Sequence, residues 1–409
     1  MPRPYIINAL DIGSGAIKLL SVAKKPGENY FEIISQIQEP SLGIRKGVVI
    51  DVQGVAEIIS SLVKKAEGDS GRKIGSVYAN IGGGHISCTS SRGLVSVSRA
   101  DQKISEEDIE RVLQAAQAIS LSSNKEIIDV FPKEFIVDGE TGVKEAVGMA
   151  GVRLEAETLV LCGFSPYLKN CSQTILNSGL QISDLIPNSL ASARAVLTSR
   201  EKELGVCVLD IGAGTTSMTV FEEGSLIHTA IFPVGSGHIT SDIAICLKTD
   251  IDTAEKVKLE FGSCRSVYQN SQKSKKSEKK IKIEGEEPLV FSKKELSDII
   301  EARVSEIFSL VDKELKKISR QRLLPAGLVL TGGGARLPGI KDLAKKELRL
   351  PCRIGVSRIF AGFQADPSLS TLCGLILEGS EMEEEQGNFS DFGKGIKGKL
   401  KKIFRIFIP

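Results

Sequence analysis

Asp11-Ile12-Gly13-Ser14-Gly15, entered from the apolar run at residues 5–10, returns as Asp210-Ile211-Gly212-Ala213-Gly214, entered from the apolar run at 206–209. The surroundings return with it. After the first copy come a strand-like run at 17–23, a polar turn at 24–29 and a second strand-like run at 31–37. After the second come 216–221, the turn Glu222-Glu223-Gly224-Ser225, and 226–232. A motif that repeats together with its neighbourhood marks a duplicated structural unit. Each copy reads as an antiparallel meander whose first hairpin turn is D-I-G-x-G. The expected fold class is α/β, with two similar halves facing each other across a cleft.

The chemistry of that turn favours phosphate. Gly13, Gly15, Gly212 and Gly214 permit positive φ and remove side chains, so consecutive backbone amides can converge on an anion. Asp11 and Asp210, at strand ends, can hold Mg²⁺ through its water shell, because that ion keeps most of its waters. Lys18 can reach a phosphate oxygen, and Ser14, Thr215 and Thr216 add hydroxyl donors. A third glycine cluster, Thr331-Gly332-Gly333-Gly334-Ala335, lies between a buried strand at 326–330 and a helix at 338–348. It lets backbone approach a base and ribose, and the helix N-terminus adds a favourable dipole. No G-x-G-x-x-G fingerprint accompanies it. Gly82-Gly83-Gly84 has no helix after it and reads as a domain junction.

The chain has 409 residues, enough for two to four domains. Charged residues make up 25% and apolar residues 41%, an ordinary globular balance. No run of 18 apolar residues occurs and the apolar start breaks at Asp11, so neither a membrane-crossing helix nor a signal peptide is expected. Eight scattered cysteines without a C-x-x-C pair read as small buried apolar residues of a cytosolic protein. His85, His228 and His238 show no metal-ligand spacing.

The net charge of +2 conceals a basic end. Residues 394–409 hold Lys394, Lys397, Lys399, Lys401, Lys402 and Arg405 and no acid, which leaves the rest of the chain mildly acidic. At 100° per residue, Ile396, Leu400, Ile403, Phe404, Ile406 and Phe407 share one face, opposite Lys397, Lys401, Lys402 and Arg405. Too short to span a bilayer, such a helix lies in the interface, its apolar face among acyl chains and its lysines among anionic headgroups. This localised charge is an anchor for an anionic lipid surface and not a nucleic-acid face. The Glu- and Gly-rich stretch before it, 381–393, reads as a flexible tether. The basic run at 269–280 reads as a solvated loop.

Two D-I-G-x-G hairpins with a strand–GGGA–helix element resemble the actin, Hsp70 and sugar-kinase superfamily, whose nucleotide lies between duplicated halves. Longer strings resemble the FtsA family of bacterial cell-division proteins. They include Val147-Gly148-Met149-Ala150-Gly151-Val152-Arg153, His238-Ile239-Thr240-Ser241-Asp242, Ala254-Glu255-Lys256-Val257-Lys258 and Glu301-Ala302-Arg303-Val304. The resemblance covers residues 5 to about 380, and the basic end resembles the same family's membrane-targeting helix.

The resemblance implies subdomain 1A at 1–82, with 162–204 and about 365–380 returning to it, and an inserted subdomain 1C at 83–161. It further implies 2A at 205–245 with 322–364, and 2B at 246–321. ATP and Mg²⁺ are the implied cofactors, with Glu255 and Lys258 joining the cleft residues. The implied role is to assemble at the septum on the cytoplasmic face of the plasma membrane, to form filaments and to tether FtsZ. Other division proteins would dock on 1C. Where the family offers Glu-Pro, this chain has Asn188-Ser189, and Ser217 replaces a common aspartate. An amide at the water-positioning site accepts no proton, so at most a slow ATPase is expected. A pilus-assembly ATPase of the same fold and a superfamily small-molecule kinase are the alternatives.

Overall fold

The computed structural model describes residues 4–25, 30–264, 280–283, 289–360 and 364–388. Two five-stranded sheets share one plan. In the first, the meander Tyr5–Ile12, Ala16–Lys24 and Glu32–Pro40 is antiparallel, and Ser76–Ile81 then Gln181–Pro187 add in parallel beside Tyr5–Ile12. In the second, the meander Val206–Ile211, Thr216–Glu222 and Ser225–Phe232 is antiparallel, and Gly327–Thr331 then Cys352–Ile354 add in parallel beside Val206–Ile211. The duplication inferred from the motif is therefore a duplication of whole sheets. Even the register repeats. Asp11 pairs with Lys18, and Asp210 with Ser217, across the two equivalent turns.

The parallel strands need crossovers, and helices supply them. Val52–Ser70 precedes Ser76–Ile81, capped by Asp51, whose carboxylate accepts from the Gly54 amide, and it buries Val55, Ile59 and Leu62 on the sheet. In the second half Lys293–Lys317 buries Leu296, Ile300, Val304, Phe308 and Val311. Arg303 holds this helix to Ser236–Leu247 through a two-pronged pair with Asp242, at 2.6 and 2.7 Å. Such fork geometry gives direction as well as attraction.

A third sheet interrupts the first half, in the order Ser87–Ser96, Arg153–Phe164, Lys125–Val137, Glu140–Val143. The expected capping box opens its helix, Glu106–Ala116, with Ser105 and Asp108 bonding reciprocally. Burial would raise the Asp108 carboxyl, but hydrogen bonds from Ser105, Arg111 and Ser98 outweigh it and hold it well below the usual range. Gly93 lets this helix touch the sheet, since a Cβ there would lie 2.1 Å from the Val112 carbonyl oxygen. On its other face the third sheet places Phe131, Leu159 and Leu161 in one apolar cluster with Val206, Phe221 and Leu226 of the second half.

The last described helix, Ser370–Asn388, returns to the first half, burying Leu372, Leu375 and Ile376 against Ile7, Leu20 and Tyr78. Gly374 permits its contact with Asn188–Val196, because a Cβ would sit 1.8 Å from the Ala191 carbonyl oxygen. This corrects the expectation of a flexible tether from 381, since the helix runs to Asn388. Acidic composition suggested solvation, but the acids have partners. Glu381 pairs with Arg194, and Glu384 pairs with Lys24 and accepts from the Tyr5 hydroxyl at 2.7 Å. Residues 269–279 of the basic run and the whole segment 394–409 lie outside the described residues. Among the described residues no helix is long and apolar enough to cross a membrane. The cysteine expectation also needs correcting: Cys246 is exposed, and Cys88 and Cys352 are partly so.

Candidate functional site

The two glycine turns meet. A Cβ on Gly15 would lie 2.8 Å from the Ala213 Cβ, and one on Gly214 would lie 2.7 Å from the Ser14 Oγ. None of Gly13, Gly15, Gly212 and Gly214 has positive φ. The left-handed freedom that glycine permits is not used there. Glycine is required because the turns of opposite halves approach more closely than side chains allow. Gly13 closes on its own hairpin, where a Cβ would lie 2.9 Å from the Ala16 carbonyl oxygen.

Between the halves opens a cleft of about 550 Å³. Of the residues expected from sequence, Asp11, Gly13, Ser14, Gly15, Lys18, Asn188, Asp210, Gly212, Gly214, Thr215, Gly332 and Gly333 line it. Thr216, Glu255, Lys258, Gly334 and Ala335 do not. The Thr216 hydroxyl donates instead to the Val234 carbonyl oxygen at 2.8 Å. Lys258 and Glu255 form a network with Thr240, and the Lys258 ammonium reaches the carbonyl oxygen of the cleft residue Ser236 at 3.4 Å.

The third glycine cluster divides its work. Gly332, at φ 81°, is held between Asp210 and Ile211, where a Cβ would clash at 2.2 Å with Asp210 Oδ1. Gly334 packs on Ile211, 2.4 Å from its Cγ2 to a notional Cβ, and so faces protein, not a base or ribose. Gly333 alone faces open space. Residues Gly333–Arg336 form a 3₁₀ turn, and the helix begins only at Ile340. No residue of that helix lines the cleft, so its dipole is not aimed there as expected.

The carboxylates sit within a dense polar network. Asp11 Oδ1 accepts from Asn80 at 2.7 Å, and its Oδ2 lies 3.4 Å from the Lys18 ammonium. Lys18 also donates to the Ser368 carbonyl oxygen at 2.8 Å. Asp210 lies deep in the cleft, where burial and the charge of Asp11 push its carboxyl up to about 6, although Lys18, Ser192 and Thr371 pull the other way. A pair of carboxylates in that state favours a cation beside it. Asn188 Oδ1 is buried without a hydrogen-bond partner, as befits a group awaiting a bound water or ligand. The donor set therefore fits a phosphate held by turn amides and Lys18, with a hydrated Mg²⁺ near Asp11 and Asp210.

Several lining residues were not singled out from sequence: Gly47, Arg336, Asp366, Ser368 and Thr371. Arg336 directly follows the glycine cluster and pairs with Asp366, which caps the turn Pro367–Leu369 by accepting from the Ser368 amide at 2.9 Å. Gly47 donates to Ser14 Oγ at 2.8 Å. His85 and His238 are structural, accepting from the amides of Phe164 and Gly235.

Two family models match, that of cell division protein FtsA over residues 207–374 and that of the SHS2 domain inserted in FtsA over residues 83–162. FtsA of Pseudomonas aeruginosa is 33% identical over 391 residues, 95% of this chain and 92% of that protein. FtsA of Borreliella burgdorferi is 34% identical over 411 residues, 99% and 97% of the two. Among solved structures, a PilM–PilN type IV pilus biogenesis complex superposes with TM-score 0.63 at 18% identity, covering 91% of this chain and 98% of the other. MreB5 of Spiroplasma citri bound to ADP gives 0.56 at 14%, covering 95% and 99%. The solved structures share the actin-like fold, and the sequence relatives narrow it: the chain belongs to the FtsA family of actin-like bacterial cell-division proteins.

Proposed function

We propose that this protein binds ATP with Mg²⁺ in the cleft, polymerises, and tethers FtsZ to the cytoplasmic face of the plasma membrane at the division septum. The observation that carries the nucleotide reading is the convergence of both glycine turns, Asp11 and Asp210 on one cleft. The turn amides and Lys18 hold phosphate, Asp11 and Asp210 hold the metal's water shell, and Gly333 leaves room for base and ribose. Lys258 and Glu255 stand behind the cleft, Lys258 supporting the lining residue Ser236 through its carbonyl oxygen. Bound Mg²⁺ supplies positive charge that both carboxylates and phosphates need. Asn188 can orient a water but takes no proton from it, so hydrolysis is slow and nucleotide acts mainly as a switch between halves.

The membrane proposal rests on the sequence of residues 394–409, where helical spacing would set Phe404, Phe407, Ile396, Leu400 and Ile403 opposite Lys401 and Lys402. Family membership supports FtsZ and other division proteins as partners, the latter at 1C. Calorimetric titration with ATP and Mg²⁺ tests the cleft. The Gly333→Leu variant should lose at least about tenfold in affinity while melting like the wild type, because its side chain enters open cleft space. Unchanged affinity in that variant rejects the site.

A further inference from the structure

Between the third sheet and the second half lies a separate, half-open pocket of about 320 Å³ whose lining includes Cys88, Lys133, His228 and Arg320. Cys88, on Ser87–Ser96, places Sγ 3.5 Å from His228 Nδ1 and 3.2 Å from the Thr229 carbonyl oxygen. On the other side of the ring, His228 Nε2 lies 3.0 Å from Glu314 Oε1. Burial would raise the Glu314 carboxyl, but hydrogen bonds from Lys317 and His228 outweigh it and leave it lowered. An ionised carboxylate can only accept, so Nε2 carries the proton and Nδ1 turns its lone pair toward the thiol. Three parts of the chain thus assemble a nucleophile, a proton acceptor and a group that orients the acceptor. The cleft chemistry uses none of them.

We infer that Cys88 is a thiol–disulfide exchange site for a small carboxylate-bearing disulfide, with His228 as proton acceptor and Glu314 as its positioning residue. The cavity falls at the lower end of the range for small-molecule sites, about 300–1,000 Å³. Lys133 and Arg320 also line it, and their positive charge favours an anionic visitor. In the exchange, Sγ attacks one sulfur, the new S–S bond forms as the old one breaks, and the thiol proton passes to His228 Nδ1. The imidazolium then releases that proton to the departing thiolate or, where that thiolate is a weak base, to water. The disulfide is the only oxidant, and one thiol is released for each Cys88 modified. A substituent on Sγ displaces the contact with Thr229 and so loosens the seam between the third sheet and the second half.

The pH profile separates this arrangement from a merely packed cysteine. Burial pushes the Cys88 thiol up and the His228 imidazole down, leaving both neutral near pH 7. The charged groups around the pair are Lys133 from the third sheet, Glu314 and Lys317 from the long helix, and Arg320 with its partner Glu222. An unassisted thiol reacts about tenfold faster per pH unit below its own pKa, because only thiolate attacks. With His228 accepting the proton, the rate is level wherever the imidazole is neutral.

The test uses the full chain carrying Cys246→Ser, which removes the exposed competitor, and 5,5′-dithiobis(2-nitrobenzoate), an anionic disulfide whose released thiolate is coloured. Peptide mass spectrometry assigns the modified residue. Expected are labelling at Cys88, a level rate between about pH 7 and 8.5, and slowing by salt. His228→Gln should slow labelling at pH 7 about a hundredfold, the lower end of proton-acceptor assistance, and restore the pH slope. Should that variant fail to fold, the wild-type slope decides alone. A rate rising tenfold per pH unit in the wild type, or no label at Cys88, overturns the inference.

Discussion

Asp210→Asn should stabilise the nucleotide-free protein while destroying the site. The Asp210 carboxyl titrates at about 6 in the fold against an ordinary 3.8, because it is buried beside the charge of Asp11. Its folded-state value lies above the unfolded one, so protonation favours the native chain. That contribution is complete below 3.8 and is lost as pH rises through about 6. At about 1.36 kcal/mol per pH unit, keeping the charge at neutral pH costs about 3 kcal/mol. The asparagine carries no charge at any pH and retains an oxygen for the Thr371 hydroxyl, which lies 3.3 Å from the carboxylate. Urea unfolding of both proteins without nucleotide, from about pH 4 to 7.5, measures the difference. The variant should be more stable by up to about 3 kcal/mol at the upper end, with the gap closing as the wild type protonates. Equal or lower stability of the variant at about pH 7.5 refutes the reading of a strained carboxylate pair kept for a cation.

Gly334→Ala should cost about 1–3 kcal/mol through its clash with Ile211, whereas Gly333→Leu should leave the melting temperature alone, and a reversal of that order would refute the assigned faces. Phosphate release should stay below the roughly 1 s⁻¹ of slow kinases, and Asn188→Glu should raise it at least about tenfold if a missing proton acceptor limits it. Faster wild-type release would contradict the switch. Phe404→Glu should abolish binding to anionic vesicles without changing the melting temperature, since a charge in the acyl region costs a few kcal/mol. Lys401→Glu with Lys402→Glu should weaken binding only to anionic vesicles, as high salt does. A lowered melting temperature with normal vesicle binding in Phe404→Glu would instead mean a helix packed on the body.

The duplicated motif revealed the two meanders and most of the turn residues that line the cleft, because a tight turn between strands is a local property. What escaped the sequence depends on contacts between distant segments. Gly334 looked like a base-side glycine, but only the approach of Ile211, from the other turn-bearing strand, shows that it serves packing. Glu381 and Glu384 looked like tether residues until Arg194, Lys24 and Tyr5 were brought beneath them. Arg336 and Asp366 enter the cleft as a pair formed across a sequence gap that no spacing rule describes. Cys88 and His228 each looked inert alone, and only the seating of the third sheet on the second half joins them.

The central claim is that nucleotide in the cleft and the basic end act together to bring FtsZ to a membrane. Flotation with anionic liposomes, with FtsZ present and with or without ATP and Mg²⁺, tests it directly. The account predicts that this protein floats and carries FtsZ with it, that ATP strengthens the recovery through self-assembly, and that Gly333→Leu loses the ATP effect while still floating. FtsZ remaining at the bottom of the gradient while this protein floats with ATP would contradict it.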